Sequence, residues 1–265
     1  MTKYEIAKVE AGSLSDLKAN YIRSLSSALD GMWQAFVSFS DHYAVTVETK
    51  TVAYCAVNEE EKILQFHAER GQDAEAIFAQ VLEATGADGA CLSTGEAHAL
   101  ALCMDKQTTV KVGALLYRLD EGDAIEAPAF PVNTSFNVVT KEELPELVDF
   151  AHSTLGADRE WLNGYYGCMI SRGELLALRR DGGVLATGEL RPSVSQVPFA
   201  DVGMVVGQSM RGQGTATAVL RTLILMCRDK GLSPVCSTEC DNVAAQKAIT
   251  RAGFMSGNRM LEITF

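Results

Sequence analysis

No apolar run in this 265-residue chain approaches the roughly 18 residues that a membrane-spanning helix needs. Positive charge is scarce as well. Twenty-three Lys and Arg stand against 34 Asp and Glu, a formal net charge of −11, which opposes non-specific binding to nucleic acid or an anionic membrane surface. Met1-Thr2-Lys3-Tyr4-Glu5 leads into polar residues without the apolar core of a signal peptide. The seven cysteines form no even set, so a reducing cytoplasm is the expected setting. Only Cys236 and Cys240 lie close together, and no second Cys or His pair completes a zinc site, so no metal is expected. What remains is an ordinary globular composition, 47% hydrophobic and 22% charged. At this length it suggests two domains.

The segment Ala127-Pro128-Ala129-Phe130-Pro131 follows the acidic run Asp120-Glu121-Gly122-Asp123 and reads as a linker over 127–133. It separates an expected domain 1–126 from another over 134–265. Charge divides unequally, with net −10 in residues 1–130 and −1 in the rest. The halves also echo one another. Arg70-Gly71-Gln72 recurs as Arg211-Gly212-Gln213, and Ala90-Cys91-Leu92-Ser93-Thr94 as Val235-Cys236-Ser237-Thr238. Each pair is separated by an apolar-periodic stretch, as in a tandem duplication.

In the second half, Thr140 and Glu143 form a capping-box pattern before a helix to about 155, and Asp158 can cap a short helix through Trp161. Asp181-Gly182-Gly183 between apolar runs predicts a hairpin of strands 174–180 and 184–191. A strand over 200–206, a helix over 214–230, a strand over 234–238, a helix over 241–252 and a strand over 260–265 complete the pattern. The first half gives strands near 43–49, 52–57 and 62–68, a helix over 73–85, a strand over 90–94, a helix over 96–104 and strands within 108–118. The fold class expected is α+β, a mixed and mostly antiparallel sheet flanked by helices.

The most informative segment is Val205-Val206-Gly207-Gln208-Ser209-Met210-Arg211-Gly212-Gln213-Gly214-Thr215-Ala216. A strand ends, a Gly-rich loop follows and a helix begins. Unpaired N–H groups at the helix start, with the positive end of its dipole, suit an anion, and Arg211 adds a charge for phosphate oxygens. A dinucleotide-binding turn uses similar glycines, with Glu239 as the ribose-binding acid, but antiparallel hairpins precede this loop and the third small residue is misplaced. It is no P-loop, because no Gly-Lys-Ser/Thr follows. A turn that only starts a helix is the plain structural alternative.

Asp201-Val202-Gly203-Met204-Val205-Val206 followed by Met210-Arg211-Gly212-Gln213-Gly214-Thr215-Ala216 resembles the acyl-CoA-binding motif of the GNAT N-acetyltransferases. Asp241-Asn242-x-x-Ala245 and Arg251-Ala252-Gly253-Phe254 resemble that family's second motif. The resemblance implies two tandem GNAT-like domains with acetyl-CoA as cosubstrate and an amine as acceptor. It implies that the amides of Arg211, Gly212, Gln213, Gly214, Thr215 and Ala216 hold the pyrophosphate. Main-chain groups of Met204, Val205 and Val206 would pair with the pantetheine arm, with Asn242 and Ala245 on its far side. Transfer would be direct, without a covalent enzyme intermediate.

An alkyl ammonium must lose a proton before it can attack a thioester, so a carboxylate is required as base. Asp201 and Glu189 are the candidates, each with a solvated strand-end charge as its alternative. Ile249 stands where the family often has a Tyr that protonates the leaving thiolate. A non-catalytic acyl-CoA-binding module is therefore the second reading. In the first half Asp73 replaces the glycine equivalent to Gly214, and with Glu75 it sets carboxylates where phosphates would dock. That half is expected to be degenerate, without an acyl-CoA site. Trp161, Tyr165 and Tyr166 are core residues or the lining of an acceptor pocket.

Overall fold

The computed structural model describes residues 4–119 and 124–265, so the acidic run 120–123 lies outside the described residues. The chain divides into two compact units, Met1–Leu116 with Ser256–Phe265, and Tyr117–Met255.

The first unit opens with β1 (Glu5–Val9), α1 (Ser15–Ser24) and α2 (Gly31–Ser38), three elements that precede the part of this half read from sequence. Asp30 caps α2 by accepting from the backbone N–H groups of Met32 and Trp33. Then come β2 (Asp41–Val47), β3 (Lys50–Val57), β4 (Lys62–Ala68), α3 (Ala74–Thr85), β5 (Gly89–Ser93), α4 (Ala97–Met104) and β6 (Thr109–Arg118). Each lies within two residues of its expected bounds. β3 and β4 are almost wholly buried, and cores form on both faces of the sheet. Ile77, Phe78 and Val81 of α3 pack on one face, Leu17 and Tyr21 of α1 with Trp33 and Val37 of α2 on the other.

The second unit holds β7 (Thr134–Val138), α5 (Leu144–Leu155), α6 (Arg159–Ser171), β8 (Leu175–Arg180), β9 (Gly183–Pro192), β10 (Phe199–Val206), α7 (Thr215–Asp229), β11 (Ser233–Glu239) and α8 (Val243–Ala252). The capping box forms, with the Thr140 N–H donating to Glu143 Oε2 at 2.6 Å. Pro145 fits because the first helical turn needs no N–H from it. Asp158 caps α6 as expected, but the helix runs to Ser171 and does not stop at Trp161. Neither Gly164 nor Gly167 breaks it, since Leu162, Tyr166, Met169 and Ile170 bury one face and tertiary packing overrides local propensity. In the β8–β9 hairpin both Asp181 and Gly182 have positive φ, 50° and 82°, as a two-residue primed turn requires.

The closing strand, β12 (Met255–Thr264), differs from expectation in length and in place. It pairs antiparallel with β5, Met260 opposite Ser93 and Thr264 opposite Gly89. The first unit's sheet therefore reads β1-β2-β3-β4-β5-β12-β6, and the second unit's β11-β10-β9-β8-β7. Residues 256–265 thus complete the first unit, where the sequence had assigned them to a domain 134–265. The expected linker 127–133 also falls inside the second unit. Phe130 packs on Phe136 with ring centroids 5.5 Å apart, and Glu126 pairs with Arg221 of α7 at 2.8 Å.

Candidate functional site

β10 and β11 run parallel but pair only over Phe199–Asp201 against Ser233–Val235. Beyond Asp201 they diverge, while β10 keeps its antiparallel partner β9 as far as Val206. Alternate main-chain groups of Met204, Val205 and Val206 thus border a gap with no strand across it among the described residues.

At the end of β10 the chain turns at Gly207, where a Cβ would lie 3.0 Å from the Leu185 carbonyl oxygen and 3.1 Å from the Phe150 ring. Gly212 (φ 75°) and Gly214 (φ 81°) are left-handed, a conformation costly for any other residue, and a Cβ at either would meet nothing within 4 Å. Gly214 is the N-cap of α7, and no side chain caps that helix. The amides of Gly214, Thr215 and Ala216 are left to whatever anion arrives. The Arg211 guanidinium donates to the carbonyls of Val206, at 3.3 Å, and Thr154, at 3.4 Å, drawing it back over the loop. Gln213 Nε2 is similarly held by the Ser209 carbonyl at 2.7 Å.

Asn242 is the N-cap of α8, its side-chain oxygen accepting from the Ala245 N–H at 3.1 Å. The spacing between those two residues is thus a helix cap in its own right. Ile249, on the same helix, is 2% exposed and packed in the core, so nothing there can donate a proton.

Glu189 and Asp201 come together. Arg191 lies directly opposite Asp201 in the β9–β10 ladder and pairs with its carboxylate through Nη2. Arg191 Nε is 3.5 Å from Glu189 Oε2, which also accepts from the Tyr165 hydroxyl at 2.8 Å. All three charged groups share one sheet face, beneath α6. Both carboxylates are buried, Asp201 at 4% exposure and Glu189 at 8%, so neither is a solvated strand-end charge. Gly203 makes the room, since a Cβ there would stand 3.3 Å from Glu189 Oε2. Burial, reinforced by the Glu189 carboxylate, raises the Tyr165 phenol well above its ordinary range, so it stays protonated and donates. The Tyr165 ring carries Arg191 on one side, 5.8 Å from its centroid, and stacks on Trp161, which is half exposed. Sequence had left Trp161, Tyr165 and Tyr166 as core residues or the lining of an acceptor pocket; Tyr166 is core at 1% exposure, and Arg191 was missed. Its signal lay in period-2 spacing from Glu189, legible only once β9 is paired with β10.

The counterpart in the first unit keeps the shape but has Asp73 where the second unit has Gly214. β4 and β5 pair in parallel only at Lys62–Gly89 and Ile63–Ala90, and Gly71 is left-handed at φ 88° like Gly212. Asp73, in place of Gly214, caps α3 by accepting from the Ala76 N–H at 3.0 Å. The anion position is filled by the protein's own carboxylate.

Two such units, one with a bare helix N-terminus at the mouth of a splayed parallel pair, define a tandem α+β protein. A model of the "Acetyltransferase (GNAT) domain" matches residues 10–120, and one of the "Acetyltransferase (GNAT) family" matches 138–254. An acetyltransferase of the GNAT family from Colwellia psychrerythraea is 36% identical, with 98% of this chain and 99% of that one covered at a TM-score of 0.91. The chain belongs to the GNAT acetyltransferases, in a tandem arrangement. Two more distant structures share the fold. A GCN5-related N-acetyltransferase from Sphaerobacter thermophilus is 12% identical over 98% of this chain and 95% of its own, with a TM-score of 0.68. A tandem GNAT protein from the clavulanic acid biosynthesis pathway is 13% identical over 99% and 98%, with a TM-score of 0.67. No curated protein matches. Acetyl-CoA binding follows from the family fold. Among the described residues no cluster of His, Cys, Asp or Glu could hold a metal, and no helix is long and apolar enough to cross a membrane.

Proposed function

We propose that the second unit transfers an acetyl group from acetyl-CoA directly to a primary amine. The observation that carries this reading is the buried Glu189–Arg191–Asp201 group on β10, the strand that leads to the uncapped N-terminus of α7, and on its antiparallel neighbour β9. The backbone amides from Arg211 to Ala216 hold the pyrophosphate, and residues 204–206 pair with the pantetheine arm as an added strand. Asn242 and Ala245 close its far side.

Glu189 is the better placed base. Asp201 is committed to the Arg191 guanidinium, whereas Glu189 keeps an oxygen beyond the one that Tyr165 engages. Glu189 takes the amine's proton, directly or through a water, and the freed lone pair attacks the thioester carbon. The C–S bond then breaks and the thiolate leaves, protonated by solvent because Ile249 offers nothing. Arg191 holds both carboxylates in place, and Trp161 with Tyr165 forms an aromatic wall for the acceptor. With the first half at net −10, a cationic acceptor is favoured.

Thiol release across a panel of amines tests this. Glu189→Gln should lower kcat by about 10²–10⁴ with little change in the KM for acetyl-CoA, and Asp201→Asn should lose less. Turnover only with acidic or neutral acceptors would remove the cationic preference. The second reading, an acyl-CoA-binding module without turnover, is favoured by buried Ile249. Tight acetyl-CoA binding with no thiol release from any amine would establish it.

A further inference from the structure

A cavity of about 710 Å³ opens on the first unit's sheet, on the face that carries α1 and α2. It lies at the starting ends of β4 and β5, around Leu64 and Cys91, whereas the loop equivalent to the acyl-CoA cradle lies at the other end of β4. It is therefore not the degenerate cofactor site. Its volume falls in the range of small-molecule pockets.

The wall is aromatic. Trp33 and Phe36 meet edge to face at 6.3 Å, and Phe36 and Phe39 are 53% and 88% exposed, large rings turned to water beside a hollow. The charge around it is mainly negative. Glu59 and Glu60 come from the β3–β4 turn and Glu262 from β12, and none has an ion pair among the described residues. The turn is fixed, because the Asn58 side chain accepts from the N–H groups of Glu60, at 3.2 Å, and Lys62, at 2.8 Å. Of the two lysines lining the cavity, Lys62 is already bound to Asp88, which leaves Lys111. Gly113 makes space for Glu262, since a Cβ there would stand 2.8 Å from its Oε1. On the floor, burial, with Glu262, Glu96 and Glu60 adding to it, pushes the Cys91 thiol up to about 12. It is a neutral lining group, not a nucleophile.

We propose that this cavity binds a small organic ammonium ion, its charge met by Glu262 and Glu60 and its apolar body laid on Trp33 and Phe36. Carboxylates supply the charge complement, and ring faces favour cations over neutral or anionic groups. The site is separate from the acetyl-transfer site and does not depend on that reading.

Trp161→Phe leaves Trp33 as the sole tryptophan, so its emission reports this cavity alone. Titration with phenethylamine should give a saturable change, and 2-phenylethanol, with a hydroxyl for the ammonium, should bind at least about tenfold more weakly. Glu262→Gln should weaken phenethylamine by about tenfold, and Phe36→Ala by about three- to tenfold, each with an unchanged thermal midpoint. Equal affinity for amine and alcohol, or no saturable change with either up to millimolar concentration, overturns the proposal. So does self-association, seen by sedimentation, that Phe39→Ala abolishes, because the face would then be covered by a second copy.

Discussion

Gly214 carries two requirements that no other residue meets together. Its φ of 81° is strained for any side chain, and its place as the uncapped start of α7 leaves amides free for an anion. Asp73, at the equivalent place, shows what a carboxylate does there: it caps the helix itself, accepting from the Ala76 N–H. Gly214→Asp should therefore abolish acetyl-CoA binding, whereas Gly214→Ala brings the strain without the charge and should weaken it less. Thermal unfolding reads this directly, because ligand at 100 times its Kd adds about 2.7 kcal/mol to wild type. An equal stabilisation of Gly214→Asp would remove the loop from the site. A second residue-scale feature is Glu96, buried before α4, accepting from the Tyr21 hydroxyl at 2.6 Å and the Ser93 N–H at 2.6 Å. Burial raises its carboxyl from 4.5 to about 7. Between those values the folded chain holds a proton that the unfolded chain has released, so its contribution is full below about 4.5 and is lost as pH rises through about 7. The loss is on the order of 3 kcal/mol. Glu96→Gln should flatten that slope in urea midpoints measured across the same window. A slope identical to wild type would assign the titration elsewhere.

Among the elements, the end of β10 and the start of α7 carry the proposed site. Sequence placed the strand, loop and α7 within a residue or two, because Gly207, Gly212 and Gly214 punctuate an otherwise apolar pattern. The repeat Arg-Gly-Gln in both units also proved structural, with Gly71 and Gly212 both left-handed. What sequence could not show was the parting of β10 from β11 after Asp201, since strand pairing is a relation between segments about 34 residues apart. Nor could it show that Glu189, Arg191 and Asp201 share a face, because each alone reads as a polar residue at a strand end. α6 was cut short for a related reason. Its glycines weaken the local signal, and only the core residues it buries against Leu175 and Ala177 sustain it.

At the scale of the whole molecule, the last ten residues hold the first unit together. Ile263 is 2% exposed in that unit's core and Met260 is 6% exposed, while β12 pairs with the edge of β5 opposite β4. Ile263→Ala should cost about 2–5 kcal/mol, and Met255→Ala, half exposed, should stay within about 0.5 kcal/mol. Denaturant unfolding compares the two. Deleting residues 256–265 should leave open sheet edges and give aggregated protein. A deletion that stayed monomeric, with the stability of wild type, would mean that β12 is dispensable.

The sequence by itself determined the types of the elements it read, the duplicated pattern, the glycine loop that starts α7 and the Asp73 that replaces the glycine in its counterpart. These follow from periodicity, capping and backbone freedom, all properties of residues close together in the chain. Tertiary structure decided which half owns the last strand, where β10 and β11 part, and that Arg191 ties Asp201 to Glu189 beneath Tyr165. Those depend on pairings between distant segments, and a chain carries no local mark of a partner that only folding brings beside it.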